Sequence, residues 1–219
     1  MSRKGSDRHA VRMTTTRTRP RPQWRVPALL ILLSAVPVVA GAFRVAQLTG
    51  GARITAENAR FFAAPVPVLL HIVGATTFCV LGAFQFVPGL RRRAWHRLAG
   101  RVVVLSGLVA ALAGLWLTVF FPNPGGDLIN AFRLVFGSGM SIALVLGLMA
   151  IRRRNVVAHR AWMRRAYAIG AGAGTQAVVT AVWFAAVGTP GAVVGELLLV
   201  AGWVINLGVA ERLNLKEKR

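Results

Sequence analysis

Arg91-Arg92-Arg93-Ala94-Trp95-His96-Arg97-Leu98-Ala99-Gly100-Arg101 and Arg152-Arg153-Arg154-Asn155-Val156-Val157-Ala158-His159-Arg160-Ala161-Trp162-Met163-Arg164 decide how this chain is read. Each is a triple arginine followed by His-Arg-x-x-x-Arg, and each stands between two long apolar runs. The cores HRLAGR and HRAWMR align without a gap, 63 residues apart. A unit of helix, basic hairpin and helix is therefore expected twice, giving two repeated helical hairpins.

Outward from these hairpins, apolar runs cover residues 26–43, 65–90, 102–122, 131–151, 166–188 and 192–210. As helices rising about 1.5 Å per residue, each is long enough to cross about 30 Å of hydrocarbon. Composition agrees, because 55% apolar residues and a mean hydropathy of +0.58 lie far from soluble averages. The expected fold is all-α, a polytopic integral membrane protein of six transmembrane helices. Spans two to five form a four-helix core over 65–188, and spans one and six flank it. One transmembrane domain, 27–211, lies between a basic tail, 1–26, and a short tail, 212–219.

The net charge of +21 is read as topology, since the 27 Lys and Arg gather in clusters between apolar runs. Loops 91–101 and 152–165 hold five and six arginines, whereas 123–130 and 189–191 hold none. The basic hairpins and both termini are therefore expected on the cytoplasmic side of the membrane, with anionic lipid headgroups as their partners. Arg44, Arg53 and Arg60 against Glu57 make 44–64 the one outer loop that weakens the rule. A nucleic-acid partner is not expected, because the basic tail is short and proline-broken and offers no folded face. That tail carries eight Lys or Arg against one Asp and cannot bury a core, so it is expected to be disordered. Ala40-Gly41-Ala42 resembles a signal-peptidase site, but the segment before the apolar run is too long for a signal peptide, and the run is taken as a span.

A set of motifs adds a resemblance. His71, Leu81-Gly82-x-x-Gln85-Phe86, Leu90-Arg91, His96-Arg97-x-x-Gly100-Arg101 and His159-Arg160-x-Trp162-Met163-x-Arg165 together cover nearly half the chain. In these residues the chain resembles the bacterial predicted-membrane-protein family known as domain of unknown function 2306. The resemblance implies membrane location and architecture and assigns no activity. One departure is the run Val102-Val103-Val104, where the family pattern has a tyrosine soon after Arg101.

Two constellations could carry chemistry. His96 and His159 occupy equivalent cytoplasmic helix starts, so adjacent packing of those helices would let two imidazoles ligate one haem b iron, with Arg97 and Arg160 on the propionates. The bland alternative is a pair of interfacial histidines beside topology-setting arginines. On the outer side, His71, Arg133 and Glu196 come from three spans at similar depth, about 25 Å from the inner histidines. Ionisable groups within a span are costly unless paired or wetted. That cluster reads either as a proton or substrate site, in a transporter or small-molecule binding protein, or as a buried Arg133-Glu196 pair hydrogen-bonded to His71. A haem-associated redox module is the first functional expectation, and a lipid-interacting scaffold without chemistry the last. Gln85 and Asn206 are expected to be interhelical hydrogen-bond glue, and Trp24, Trp95 and Trp162 interfacial anchors. Gly170, Gly172 and Gly174, with Gly107 and Gly114 seven apart, mark close helix crossings. Cys79, the sole cysteine, permits no internal disulfide and is read as packing. No Gly-rich phosphate loop, Ser-His-Asp set, HExxH or paired-carboxylate pattern is present, which leaves hydrolase and nucleotide-driven readings unsupported.

Overall fold

A computed structural model describes residues 24–90, 94–121 and 126–218. The basic tail up to residue 23, the first arginine triplet at 91–93 and the tip 122–125 lie outside the described residues. Eight α-helices occur among the described residues: α1 (Arg25–Thr49), α2 (Ala59–Ala63), α3 (Pro65–Phe84), α4 (Ala94–Phe120), α5 (Asp127–Arg152), α6 (Val156–Gly170), α7 (Gly172–Val187) and α8 (Ala192–Lys218). A 3-10 turn, Pro88–Leu90, follows α3. Among the described residues five helices are long and apolar enough to cross a membrane, and α6 with α7, bent by 46° at their junction, pass the same test together as a broken span or a re-entrant loop, so the spans number five or six. The fold is an all-α polytopic membrane protein.

Several boundaries move from their expected places. The third and fifth spans begin at Ala94 and Val156, so both His-Arg-x-x-x-Arg cores are the first turns of helices. Residues 25 and 26, assigned to the tail, open α1, and residues 212–218, expected as a tail, continue α8. The second span stops at Phe84 because Pro88 cannot continue it. Pro65 starts that same helix from its first position, where a missing N–H costs nothing.

The turn between α5 and α6 is tight and well bonded. Asn155 N–H donates to Ala150 O and Arg154 N–H to Ile151 O, closing the end of α5 in a Schellman motif. Arg154 sits there at φ 60°, a left-handed conformation in which glycine is usual. Asn155 then caps α6, its side-chain oxygen accepting from Ala158 N–H at 2.9 Å.

The helices form a ring in which α1 packs on α3 and α7, α3 on α4, α4 on α5, α5 on α6 and α8, and α6 on α8. Lipid tails are as apolar as leucine, so these contacts rest on fit rather than on a hydrophobic drive. The α3–α4 seam shows the fit most clearly. A Cβ on Gly107 would meet the Phe78 ring at 2.6 Å, and one on Gly114 would meet His71 at 3.1 Å. Two rings seven residues apart on α3 thus lodge against two glycines seven apart on α4. Between them Gly74 lies on the α4 backbone, where a Cβ would be 2.8 Å from Ser106 O.

The other glycines work the same way, each with a different neighbour. Gly170 makes room for Phe78, Gly172 for Trp203 and Gly174 for the backbone of Leu33. The bend falls among them, at Ala171. Asn206 of α8 spans it, donating to Ala168 O at 3.0 Å and accepting from Thr175 Oγ1 at 2.8 Å. The core around Phe78, Leu144, Ala166 and Tyr167 is closed by Tyr167 Oη, which donates to Cys79 O at 2.8 Å.

Candidate functional site

A cavity of about 340 Å³ opens among α3, α4, α5, α6, α7 and α8. Its wall is mostly apolar, with Phe78, Phe136, Met140 and Trp203, and four residues give it a polar part: His71, Thr118, Arg133 and Gln176. The volume lies near the lower end of the roughly 300–1,000 Å³ usual for ligand pockets. Small residues create the space. Ala75, Ala110, Ala111, Gly114, Gly137 and Gly170 all line it, so the close crossings that hold the bundle also leave the void.

The polar residues are fixed by their own elements. His71 Nδ1 lies 2.8 Å from Ala110 O, and a carbonyl only accepts, so Nδ1 carries the proton and donates. In the neutral imidazole Nε2 is then an acceptor. Arg133 is half-buried and donates from Nη1 to Asn130 Oδ1 at 3.0 Å, one helical turn earlier. Thr118 turns back to Gly114 O at 2.8 Å, and Gln176 donates to Leu199 O at 2.7 Å.

Glu196 takes a different place from the one expected for the outer cluster. Its Oε2 accepts from Ile129 N–H at 3.1 Å, in the first turn of α5, and it makes no ion pair with Arg133 among the described residues. Gly126 precedes α5 without a side chain to cap it, and a Cβ there would collide with the Glu196 carboxylate. A carboxylate from α8 therefore caps α5 where the local sequence supplies no cap, and it also complements the helix dipole. Its charge still reaches Arg133. The structure brings His71 and Arg133 to one cavity that Glu196 does not line, and among the described residues the expected Arg133-Glu196 pair hydrogen-bonded to His71 does not form.

The inner histidines lie on two helices that flank α5. α5 packs on both α4 and α6, which share no extended face. His159 Nδ1 lies 2.9 Å from Gly147 O, one helix back along the chain, and Arg160 is bound to Glu217 at 2.6 Å rather than free for a propionate. His96 and Arg97 lie in the first turn of α4, with Arg97 exposed. Met163 packs on Gly147. No group of three or more His, Cys, Asp or Glu suited to a metal occurs among the described residues.

Arg160, Arg164 and Arg165 on α6 instead face the end of α8. Arg160 and Arg164 both pair with Glu217, Arg164 also reaches Asn214 at 3.1 Å, and Arg165 grips Glu211 through two nitrogens at 2.5 and 2.9 Å. Read as a tail, residues 212–218 give no sign of this clasp, which depends on their continuing α8. Asn130, three residues before Arg133 on α5, is a positioning partner that the helical i, i+3 spacing could have signalled.

The outer loop is also ordered. Asn58 is buried, its side chain bonded to Thr55 N–H and Arg53 O. Phe61 of α2 lies under two guanidinium groups, Arg44 at 3.7 Å and Arg60 at 4.4 Å from the ring centroid.

Among known proteins, one family profile, described as "Predicted membrane protein (DUF2306)", matches residues 68–213. No curated protein and no solved structure matches the chain.

Proposed function

The chain belongs to the DUF2306 family of predicted membrane proteins, and on that premise we propose that it is a membrane-embedded binding protein for an amphipathic small molecule. The observation that carries this reading is the cavity itself, an apolar chamber with His71 and Arg133 in one wall. Such a chamber suits a ligand with an apolar body and one polar end, since convergent polar groups in an otherwise apolar pocket fix orientation. His71 offers an acceptor and Arg133 a donor, so the polar end is held by hydrogen bonds of both senses. The arginine asymmetry puts the basic hairpins in the cytoplasm beside anionic headgroups, and the chamber then lies toward the outer half of a cell membrane. Fusion reporters at Gly125 and Pro190 should read outside, and at Trp95 and Val157 inside.

Filling the chamber tests the reading. Ala75→Phe places a ring in the space, one helical turn from His71. Wild-type protein extracted in mild detergent should release a bound amphiphile in native mass spectrometry, and Ala75→Phe should not. Equal release from both, with the variant folded, would refute the proposal.

A further inference from the structure

The neutral polar side chains of the chamber wall all spend their hydrogens in the same way. His71 donates from Nδ1 to Ala110 O at 2.8 Å, Thr118 from its hydroxyl to Gly114 O at 2.8 Å, and Gln176 from Nε2 to Leu199 O at 2.7 Å. Each hydrogen goes to a backbone carbonyl, and each side chain keeps an acceptor: Nε2 of the neutral His71 imidazole, Thr118 Oγ1 and Gln176 Oε1. His71 Nε2 and Gln176 Oε1 have no hydrogen-bond partner among the described residues, and neither is sealed away without one as Thr180 Oγ1 and Trp183 Nε1 are. Arg133 gives Nη1 to Asn130 and keeps further N–H donors.

The two unpartnered acceptors stand near one level. Gly82 meets Tyr167 and Phe78 meets Gly170, so α3 runs antiparallel to α6. His71 precedes Phe78 by seven residues and Gln176 follows Gly170 by six, which puts both roughly two helical turns from that contact, toward the end where α3 starts. In apolar surroundings an acceptor without a donor is costly. Water serves such atoms in an open cleft, and a ligand that displaces it must donate in its place. An ionised carboxylate only accepts, and would set lone pairs against lone pairs. A hydroxyl donates one hydrogen and accepts on its oxygen, so it suits these acceptors and an Arg133 N–H together. Arg133 needs no anion from the ligand either, because Glu196 is bonded one turn away, at Ile129 N–H, and its charge reaches the guanidinium.

We infer that the molecule taken by the chamber carries a neutral head with at least two hydroxyls, the chemistry of a long-chain diol, which donates to His71 Nε2 and Gln176 Oε1 and accepts from Arg133, with its apolar body along Phe78, Met140 and Trp203. This rests on the binding reading above and adds that the head is uncharged and that hydrogen-bond donation selects it.

The test uses full-length protein in nanodiscs of zwitterionic lipid and four probes on one brominated chain: 11-bromoundecane-1,2-diol, 11-bromoundecan-2-ol, 11-bromoundecan-2-one and 11-bromoundecanoate. Bromine quenches indole fluorescence, and Trp203 lines the chamber; Trp203→Phe defines the signal that belongs to it. Affinities are referred to the probe concentration in the bilayer. Alcohol and ketone share one heavy-atom frame, but the ketone cannot donate. The alcohol should bind about tenfold more tightly than the ketone, the diol more tightly still, and the carboxylate no better than the ketone. His71→Phe keeps a ring against Gly114 and removes Nε2, and Gln176→Met, on another helix, removes Oε1. Each should lower the ratio of diol to ketone affinity by about tenfold. A ketone or carboxylate bound as tightly as the diol by the wild-type protein, or a ratio that no folded variant lowers, overturns the hydroxylated head while leaving the chamber as a binding site. No Trp203-dependent quenching by any probe removes the binding reading and this inference with it.

Discussion

The two ends of the bundle handle charge in opposite ways. At the basic end, Arg160, Arg164 and Arg165 of α6 meet Glu211 and Glu217 of α8, charge on charge. At the far end, Arg133 is held by an amide, Arg44 and Arg60 lie over a phenyl ring, and Glu196 accepts from a backbone N–H. Opposite charges that neutralise each other fasten helices and offer little to a ligand. Charges positioned by neutral groups keep more of their field, and of these Arg133 lines the cavity. The comparison separates a structural clasp from a candidate binding pole using only the identity of each partner.

The largest effect should come from the crossing that the far end depends on. Gly74→Val would push α3 from the α4 backbone at Ser106 and Ala110 and displace His71 from Ala110 O. Overpacking of this kind costs about 1–3 kcal/mol. Its control is Gly208→Ala on α8, where an added Cβ meets nothing within 4 Å. Thermal unfolding in detergent should show a clear loss for the first and none for the second. Equal behaviour would mean that the α3–α4 seam is looser than drawn.

Next comes the capping carboxylate. Glu196→Ala strips a side-chain acceptor from the start of α5 and should cost about 1–2 kcal/mol, within the usual range for a lost N-cap. A double-mutant cycle with Arg133→Met separates cap from ion pair: the coupling should stay below about 1 kcal/mol, since each residue has another partner. Coupling of several kcal/mol would restore the direct pair.

Why the sequence misjudged Glu196 is instructive. Ionisable residues at similar depth suggest a pair, and pairing by depth is as much as a one-dimensional reading allows. It could not weigh a helix start whose glycine leaves N–H groups uncapped, because that draw acts between α8 and α5, 67 residues apart. The long apolar runs were legible for the opposite reason: length and polarity are local. So were the packing roles of Gly107 and Gly114, whose spacing of seven matches that of Phe78 and His71. The bend at Ala171 was not legible, as GAGAG reads equally well as a straight helix with small residues. What keeps it in place is a bond from Asn206, on another helix, to Ala168 O. His96 and His159 share a motif and a place in the first helical turn. The motif records how a helix begins at a charged surface, and that is insufficient to say what the helix will face.

Removing the clasp should matter less than removing the cap. Glu211 and Glu217 side chains are 43% and 26% exposed, so their ion pairs are screened and worth about 0.2–1 kcal/mol each. Glu211→Gln with Glu217→Gln should lower stability by a sum of that size at low salt and by less at high salt. The same salt series on Glu196→Ala should stay nearly flat, because a half-buried cap is shielded from ions. A flat response from the clasp variant would show that packing of α8 on α6, rather than charge, holds that end.

The smallest effect is expected with the opposite sign, and it again sets one end against the other. Each has a turn that needs a positive φ: Gly188, at 100°, between α7 and α8, and Arg154, at 60°, between α5 and α6. Left-handed backbone costs a residue with a Cβ about 1–2 kcal/mol and glycine almost nothing. Glycine in turn loses about 0.5–1 kcal/mol more entropy on folding. Arg154→Gly should therefore stabilise by up to about 1 kcal/mol. Gly188→Ala should destabilise by at least as much, since its backbone conformation lies further from what L-residues adopt. Orientation should survive the loss of Arg154, because five arginines remain in 152–165. A hairpin at anionic headgroups would gain from the Arg154 charge what it loses in backbone. If that is right, the gain from Arg154→Gly should appear in neutral detergent and shrink or reverse in bilayers rich in anionic lipid. Equal gains in both would mean the side chain makes no use of the membrane surface, and the strain would then lack this explanation.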